Sequence, residues 1–178
     1  MNIVNPKTAL ISLSDKTNLE EIVSFLMKKD VKILSTGGTY KAIKEITDKV
    51  KEVSEFTGFE EMMDGRVKTL HPKIHAGILA RRESDMKVLE ERGYETIDLV
   101  IVNLYPFTDT IKKGSSFEDA IENIDIGGPT MIRAAAKNFK DVVVVCTPND
   151  YGHIIREWDE NDGLLYETRK NLSQKVFA

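Results

Sequence analysis

The stretch Gly65–Gly77, GRVKTLHPKIHAG, gathers Arg66, Lys68 and Lys73 with the Thr69 hydroxyl and two of the chain's three histidines, His71 and His75. Bounded by glycines and interrupted by Pro72, it reads as a loop, too short and too broken to be a helix packed on a core. The chain as a whole is acidic, with a net charge of −4. A local excess of positive charge on such a chain either floats in solvent or faces an anion. His71 and His75 stand four apart, as in a helical zinc pair, but Pro72 lies between them and no third ligand is apparent. No metal site is therefore expected, and the two imidazoles are read as supports that orient or brace the loop. Phe56, Phe59, Met62 and Met63 precede it and read as packing residues that anchor it. The Arg81–Arg82 pair reads as a solvated face.

Other small-residue turns carry matching chemistry. Ser35-Thr36-Gly37-Gly38-Thr39 suits phosphate: two glycines let backbone N–H groups turn toward an anion, and a following helix adds its positive end. Thr36 and Thr39 add hydroxyl donors. Ser14 and Lys16 supply a hydroxyl and a charge to the same region. Neither turn has the spacing of a dinucleotide fingerprint or a P-loop. Ile124-Asp125-Ile126-Gly127-Gly128-Pro129 is a second Gly-Gly turn feeding a helix. There Asp125 either stands beside N–H groups able to stabilise an oxyanion or only caps the helix. Lys137 closes the run RAAAK, where a cation meets the negative helix end.

These turns need a scaffold that brings them together. Thr8–Leu13, Val31–Leu34, Leu99–Val102 and Val142–Val145 are mostly apolar runs and read as buried strands. Asn18–Lys29 repeats Leu19, Ile22, Val23 and Leu26 at helical spacing, with Thr17 and Glu20 in capping-box register. Further helices are expected over Tyr40–Ile46, over Ser84–Arg92 with Gly93 as its stop, and over Ser116–Asn123 with Ser115 and Glu118 as its box. Thr130–Lys137 behind Pro129, Asp150–Trp158 and Leu164–Ala178 complete the set. Strands alternating with helices predict an α/β fold of three layers, a mainly parallel sheet flanked by helices on both faces. In such sheets ligands sit beyond the carboxyl ends of the strands. That places Ser14–Lys16, Ser35–Thr39 and Asn103–Phe107 along one edge.

Bulk properties narrow the class. A chain of 178 residues that is 41% hydrophobic can form one domain with a real core. The acidic balance argues against a general nucleic-acid binder but not against a site for a small anion. Cys146 is the single cysteine. It follows an aliphatic run, so it reads as a buried structural thiol in a reducing compartment. No apolar stretch has the length of a membrane span and the N-terminus lacks a signal-peptide core, so a cytoplasmic protein without membrane partners is expected. The apolar ending VFA on a charged tail predicts either a longer parent chain or packing against a partner.

The ordered set SLSDKTNL, STGGTYKAI, VSEFTGFEEMMDGRVKTLHPKIHAGILARR, NLYPF and IDIGGPTMIRAAAKN resembles the IMP cyclohydrolase domain of the bifunctional AICAR transformylase/IMP cyclohydrolase family, over about Thr8 to the C-terminus. The resemblance implies a methylglyoxal-synthase-like fold, with residues 1–178 forming one cyclohydrolase domain and the C-terminal transformylase half absent. It implies ring closure of 5-formamidoimidazole-4-carboxamide ribonucleotide to IMP with loss of water, using neither metal nor organic cofactor. Carried over by position, Ser14, Lys16, Thr36, Gly37, Gly38 and Thr39 would hold the 5′-phosphate. Arg66, Lys68 and Thr69 would line the purine side, Asn103 would position the nucleotide, and Ile126 and Gly127 would complete the binding surface. Lys68, Tyr105, Asp125 and Lys137 would form the reacting constellation. Lys68 and Tyr105 are assigned to the carboxamide, Asp125 and Lys137 to the formyl oxygen. The resemblance further implies a homodimer, built largely through the missing half. The alternative is a phosphate-ligand binding or regulatory module on the same fold. Methylglyoxal synthase chemistry is a third reading, from which NLYPF and GRVKTLHP point away.

Overall fold

Five short runs pair into a fully parallel sheet in the computed structural model, which describes residues 2–178. They are β1 (Thr8–Leu13), β2 (Lys32–Ser35), β3 (Val50–Glu52), β4 (Leu99–Asn103) and β5 (Val143–Val145), in the order β3-β2-β1-β4-β5. Side chains alternate between faces along a strand, so β1 sends Ala9, Ile11 and Leu13 into one core and Leu10 into another. The first core is closed by α1 (Leu19–Lys28), α2 (Gly37–Lys44) and α9 (Tyr151–Asn161). Phe25 and Trp158 meet there edge to face at 5.3 Å. The second is closed by α3 (Val53–Thr57), α4 (Pro72–Leu79) and α8 (Gly127–Lys137). The expected three-layer α/β architecture is therefore present. α5 (Met86–Arg92) precedes β4, α6 (Phe107–Lys112) and α7 (Phe117–Glu122) lie between β4 and α8, and α10 (Tyr166–Lys175) packs on β5 and α8.

From β1 the chain steps outward to β2 and β3, then returns to the other side of β1 as β4. That reversal opens a crevice at the carboxyl ends of β1 and β4. The register sets Leu13 opposite Asn103, so the end of β4 lies beside the turn that leaves β1.

Several expected boundaries shift for identifiable reasons. The segment beginning at Gly65 is not loop throughout, because Pro72 opens helix α4 instead of breaking one. Proline fits that position, having no N–H to leave unpaired. His71 caps the helix, its Nδ1 accepting the Lys73 N–H at 3.0 Å. α2 begins at Gly37 rather than Tyr40, and α8 at Gly127 rather than Thr130. Neither capping box forms as expected. Thr17 directs its hydroxyl to Asp15 at 2.6 Å while Asn18 turns left-handed at φ 59°, and Ser116, not Ser115, accepts the Asp119 N–H at 3.1 Å. β3, α3 and α6 had no expectation, being short and mixed in polarity. Strands β2 and β5 begin one residue later than expected, and α9 and α10 are offset at both ends. Of the anchoring residues, Phe56 is buried, whereas Phe59, Met62 and Met63 are exposed. Cys146 is half-buried, and burial pushes its thiol up from the ordinary value. Arg82 is no solvated residue: it pairs with Asp98 at 3.1 Å and donates to the Ile97 carbonyl at 3.0 Å.

Candidate active site

The turn after β1 is held from the next strand. Asn103 Oδ1 accepts the N–H groups of Ser14 and Asp15 at 2.7 and 2.9 Å, and Asn103 Nδ2 donates to the Asp15 carbonyl at 2.7 Å. Asp15 adds a local brace, accepting the Thr17 N–H and hydroxyl, and the hydroxyl bond is the main reason its carboxyl titrates below the ordinary value. Lys16 donates to the Leu13 carbonyl at 3.2 Å, and its remaining N–H donors are free for an anion.

The start of α2 is ready for that anion. Its first ladder bond runs from the Tyr40 N–H to the Thr36 carbonyl at 3.2 Å, leaving the N–H groups of Gly37, Gly38 and Thr39 outside the ladder. They stand at the positive end of the helix, which favours phosphate. The Thr39 hydroxyl is engaged elsewhere. It accepts the Leu13 N–H at 2.9 Å, donates to the Leu13 carbonyl at 3.2 Å and is buried. Thr39 thus offers an anion its backbone, not its side chain.

Opposite lies the basic segment. Met62 and Val67 bridge back to back, with N–H to carbonyl distances of 3.0 and 3.3 Å. The reversal between them puts Met63, Asp64 and Gly65 all at positive φ, 56°, 55° and 82°. Two non-glycine residues in that region are a local cost, of a kind found at functional turns. A side chain at Gly65 would overlap Lys68 Cε, and Lys68 Nζ lies 3.6 Å from where a Cβ on Gly37 would stand. Lys68 therefore reaches across the cleft, its stem passing one left-handed glycine and its ammonium approaching another. Thr69 is buried, its hydroxyl lying against Gly127 where there is no room for a side chain. Behind it His75 Nε2 is buried without a partner, and burial lowers the imidazole's proton affinity.

The third wall is the start of α8 with the end of α7. Asp125 Oδ1 accepts the Gly128 N–H at 2.9 Å. Pro129 has no N–H, so Gly127 retains the one first-turn donor not taken by the cap. The capping alternative for Asp125 is the one observed: Oδ1 caps, and Oδ2 makes no hydrogen bond among the described residues. Glu122 on α7 forms a bidentate ion pair with Arg66.

These walls enclose a cavity of about 640 Å³, a size suited to a nucleotide. It brings together Lys16, Thr36, Gly37, Gly38, Thr39, Arg66, Lys68, Thr69, Asp125, Ile126 and Gly127. It does not bring in Ser14 and Asn103, which build the neighbouring turn. Tyr105 lies exposed on the loop leaving β4, outside the lining. Lys137 is exposed at the far end of α8, about 15 Å along the axis from Gly127 at 1.5 Å per residue. Sequence reasoning missed Glu122 and Asp64, which line the cavity, and Glu61, whose Oε2 lies 3.9 Å from Lys68 Nζ. Only the crowding of acidic residues before and after the basic segment hinted at them. Among the described residues no group of side chains could hold a metal, and no helix is long and apolar enough to cross a membrane.

A five-stranded parallel sheet flanked by helices, with a cavity at its carboxyl edge, defines an α/β domain. The chain belongs to the MGS-like domain family, whose model matches residues 18–130. Residues 135–178 match a second family model, described as AICARFT/IMPCHase bienzyme. The bifunctional purine biosynthesis protein PurH of Clostridium botulinum is 57% identical over 173 residues, which is 96% of this chain and 35% of that protein. The PurH of Clostridium perfringens is 56% identical over the same length, covering 34% of that protein. The match is to the N-terminal part, so the chain spans about a third of the length of the curated relatives it matches. Among solved structures, ForH superposes with a TM-score of 0.83 at 33% identity, covering 97% of this chain and 92% of that one.

Proposed function

We propose that this domain is an IMP cyclohydrolase, closing the ring of 5-formamidoimidazole-4-carboxamide ribonucleotide to give IMP and water. One observation carries the reading: a single cavity joins an anion-ready helix start and Lys16 on one wall to Asp125, Lys68 and Thr69 on the others. The likeness to PurH supports it by naming purine biosynthesis. In the reaction the carboxamide nitrogen attacks the formyl carbon, forming the new C–N bond. The formyl oxygen takes up a proton as the attacking nitrogen loses one; the C–O bond then breaks, the hydroxyl leaving with a second proton as water while the formamido nitrogen gives up its hydrogen and forms the ring C=N bond. An amide nitrogen is a weak nucleophile, so most of the acceleration comes from holding both arms in attack geometry. The α2 start and Lys16 would fix the phosphate, with Arg66 and Thr69 beside the base. Lys68 would take up the carboxamide proton, and the free Asp125 oxygen with the Gly127 N–H would serve the formyl oxygen. Tyr105 would need to swing inward with its loop. Lys137 would act from outside the cavity, on the neighbouring chain of a homodimer or through the helix. In this reading the protein would work in the cytoplasm, and a transformylase half would belong to the same enzyme.

Incubation with the formamido nucleotide, in the absence of folate and metal, should yield IMP, read by absorbance and chromatography. Lys68→Ala should lower turnover far more than it weakens IMP binding. A folded sample that makes no IMP removes the proposal. The second reading is a nucleotide-binding module without turnover, favoured by the distance of Lys137 from the cavity. It predicts that IMP binds, that nothing is converted, and that Lys68→Ala changes affinity alone.

A further inference from the structure

Lys68 stands at a passage between two hollows. On one side is the cavity described above; on the other is an outer hollow of about 290 Å³, sharing Thr36 and Lys68 with it and lined by Glu52, Glu60 and Glu61. The carboxylates make the outer hollow repellent to phosphate, which confines an incoming nucleotide to the inner cavity. They also set a problem of competition. The Lys68 ammonium already lies next to Gly37, at the start of α2, where a phosphate dianion would arrive. A dianion beside an ammonium is a stronger attractor than a neutral carboxamide. Left alone, it would hold Lys68 as one more phosphate ligand and keep it from the reacting end of the substrate. Among the described residues the carboxylate paired with Lys68 is that of Glu61, with Oε2 at 3.9 Å from Nζ.

We propose that Glu61 is a positioning residue for Lys68, its carboxylate counter-anchoring the ammonium at the passage so that a bound phosphate does not capture it. The inference rests on the cyclohydrolase reading for its turnover arm, but its binding arm stands on the geometry of the cavity. Glu61 is exposed at the rim of the reversal, so Glu61→Gln should fold as the parent does.

The sign of the effect separates this role from a structural one. Glu61→Gln should tighten IMP binding by about three-fold and lower kcat by about five-fold, the scale of one solvent-screened ion pair. Binding of inosine, which lacks the phosphate, should not change. Glu61→Asp should restore most of kcat. In a Lys68→Ala background, Glu61→Gln should have no further effect on either quantity, because the interaction it removes is already gone. Titration calorimetry with IMP and inosine, alongside the turnover assay on all four variants, reads these outcomes. Weaker IMP binding in Glu61→Gln, or a kcat loss that persists undiminished without Lys68, overturns the proposal. If the parent protein binds IMP yet makes none, the cyclohydrolase reading fails, and the phosphate-dependent tightening alone then decides the role of Glu61.

Discussion

Asn103 and Thr39 carry polar side chains at the carboxyl edge of the sheet, and both direct them at backbone rather than into the cavity. Sequence pattern picks out such residues because they sit in the right turns. It cannot say which way a hydroxyl or amide points, since a βα turn built for packing uses the same small polar residues as one built for phosphate. The backbone donors of Gly37 and Gly38 were legible for the opposite reason: glycine there has no side chain to interpose. This separation makes Thr39→Val informative. The substitution removes the acceptor of a buried Leu13 N–H, and should lower folding stability by about 1–3 kcal/mol. Affinity for IMP should persist in the variant that remains folded, because the Thr39 N–H is untouched. Urea denaturation and calorimetric binding together test this. A phosphate-specific loss of affinity at unchanged stability would instead make the hydroxyl a ligand.

Among elements, the lesson of α4 is positional. Proline in a short basic segment reads as interruption, yet at the first helical position it starts the element, and only the His71 cap distinguishes the two cases. The long amphipathic helices α1 and α9 were legible from their spacing, whereas three-residue β3 was not, because its register comes from pairing with β2. α6 and α7 are a further case. They pack on each other and leave Phe117, Ile121 and Ile111 exposed, so little apolar contact ties them to the body. The ion pair of Glu122 with Arg66 is their link to the basic segment across the cavity mouth. Both partners are more than half exposed, which limits the pair to at most about 1 kcal/mol. Even that is a large share of the stability of a weakly packed unit. Glu122→Gln should therefore speed amide exchange over residues 107–122 by about two- to five-fold while β1 and β4 stay protected. Hydrogen exchange read by mass spectrometry checks it, and unchanged exchange in that window would assign the anchoring to other contacts.

At the scale of the molecule, the sheet order follows from alternation of strands and helices, but the closure of the chain on itself does not. Arg169 lies in a helix whose sequence, YETRKNLSQK, reads as a solvated charged surface. It is nevertheless fully buried. Its guanidinium donates to the carbonyls of Phe139, Lys140, Leu164 and Asn2 and to the Asn2 side chain, at 2.5–3.2 Å. No local pattern announces this, since the partners are up to 167 positions away. Burial lowers the group's proton affinity, but with the neighbouring charges of Asp141 and Glu157 opposing that shift the planar five-donor fork stays charged and fully engaged. It ties the amino-terminal segment, the turn after α8 and the start of α10 into one knot. Replacing it by alanine would strand several buried carbonyls at once, each costing about 1–3 kcal/mol when left unpaired. Arg169→Ala should therefore lose at least about 3 kcal/mol, which for a domain of this length is a fall in Tm of roughly 6–12 °C. Arg169→Lys should recover little, because an ammonium cannot span acceptors arranged around a plane. Since the knot lies on α8 at the end away from Gly127, IMP affinity of the folded fraction at low temperature should be retained. A melting curve for each variant, paired with IMP titration, decides the matter: an unshifted Tm would mean that the buried guanidinium is dispensable to the fold.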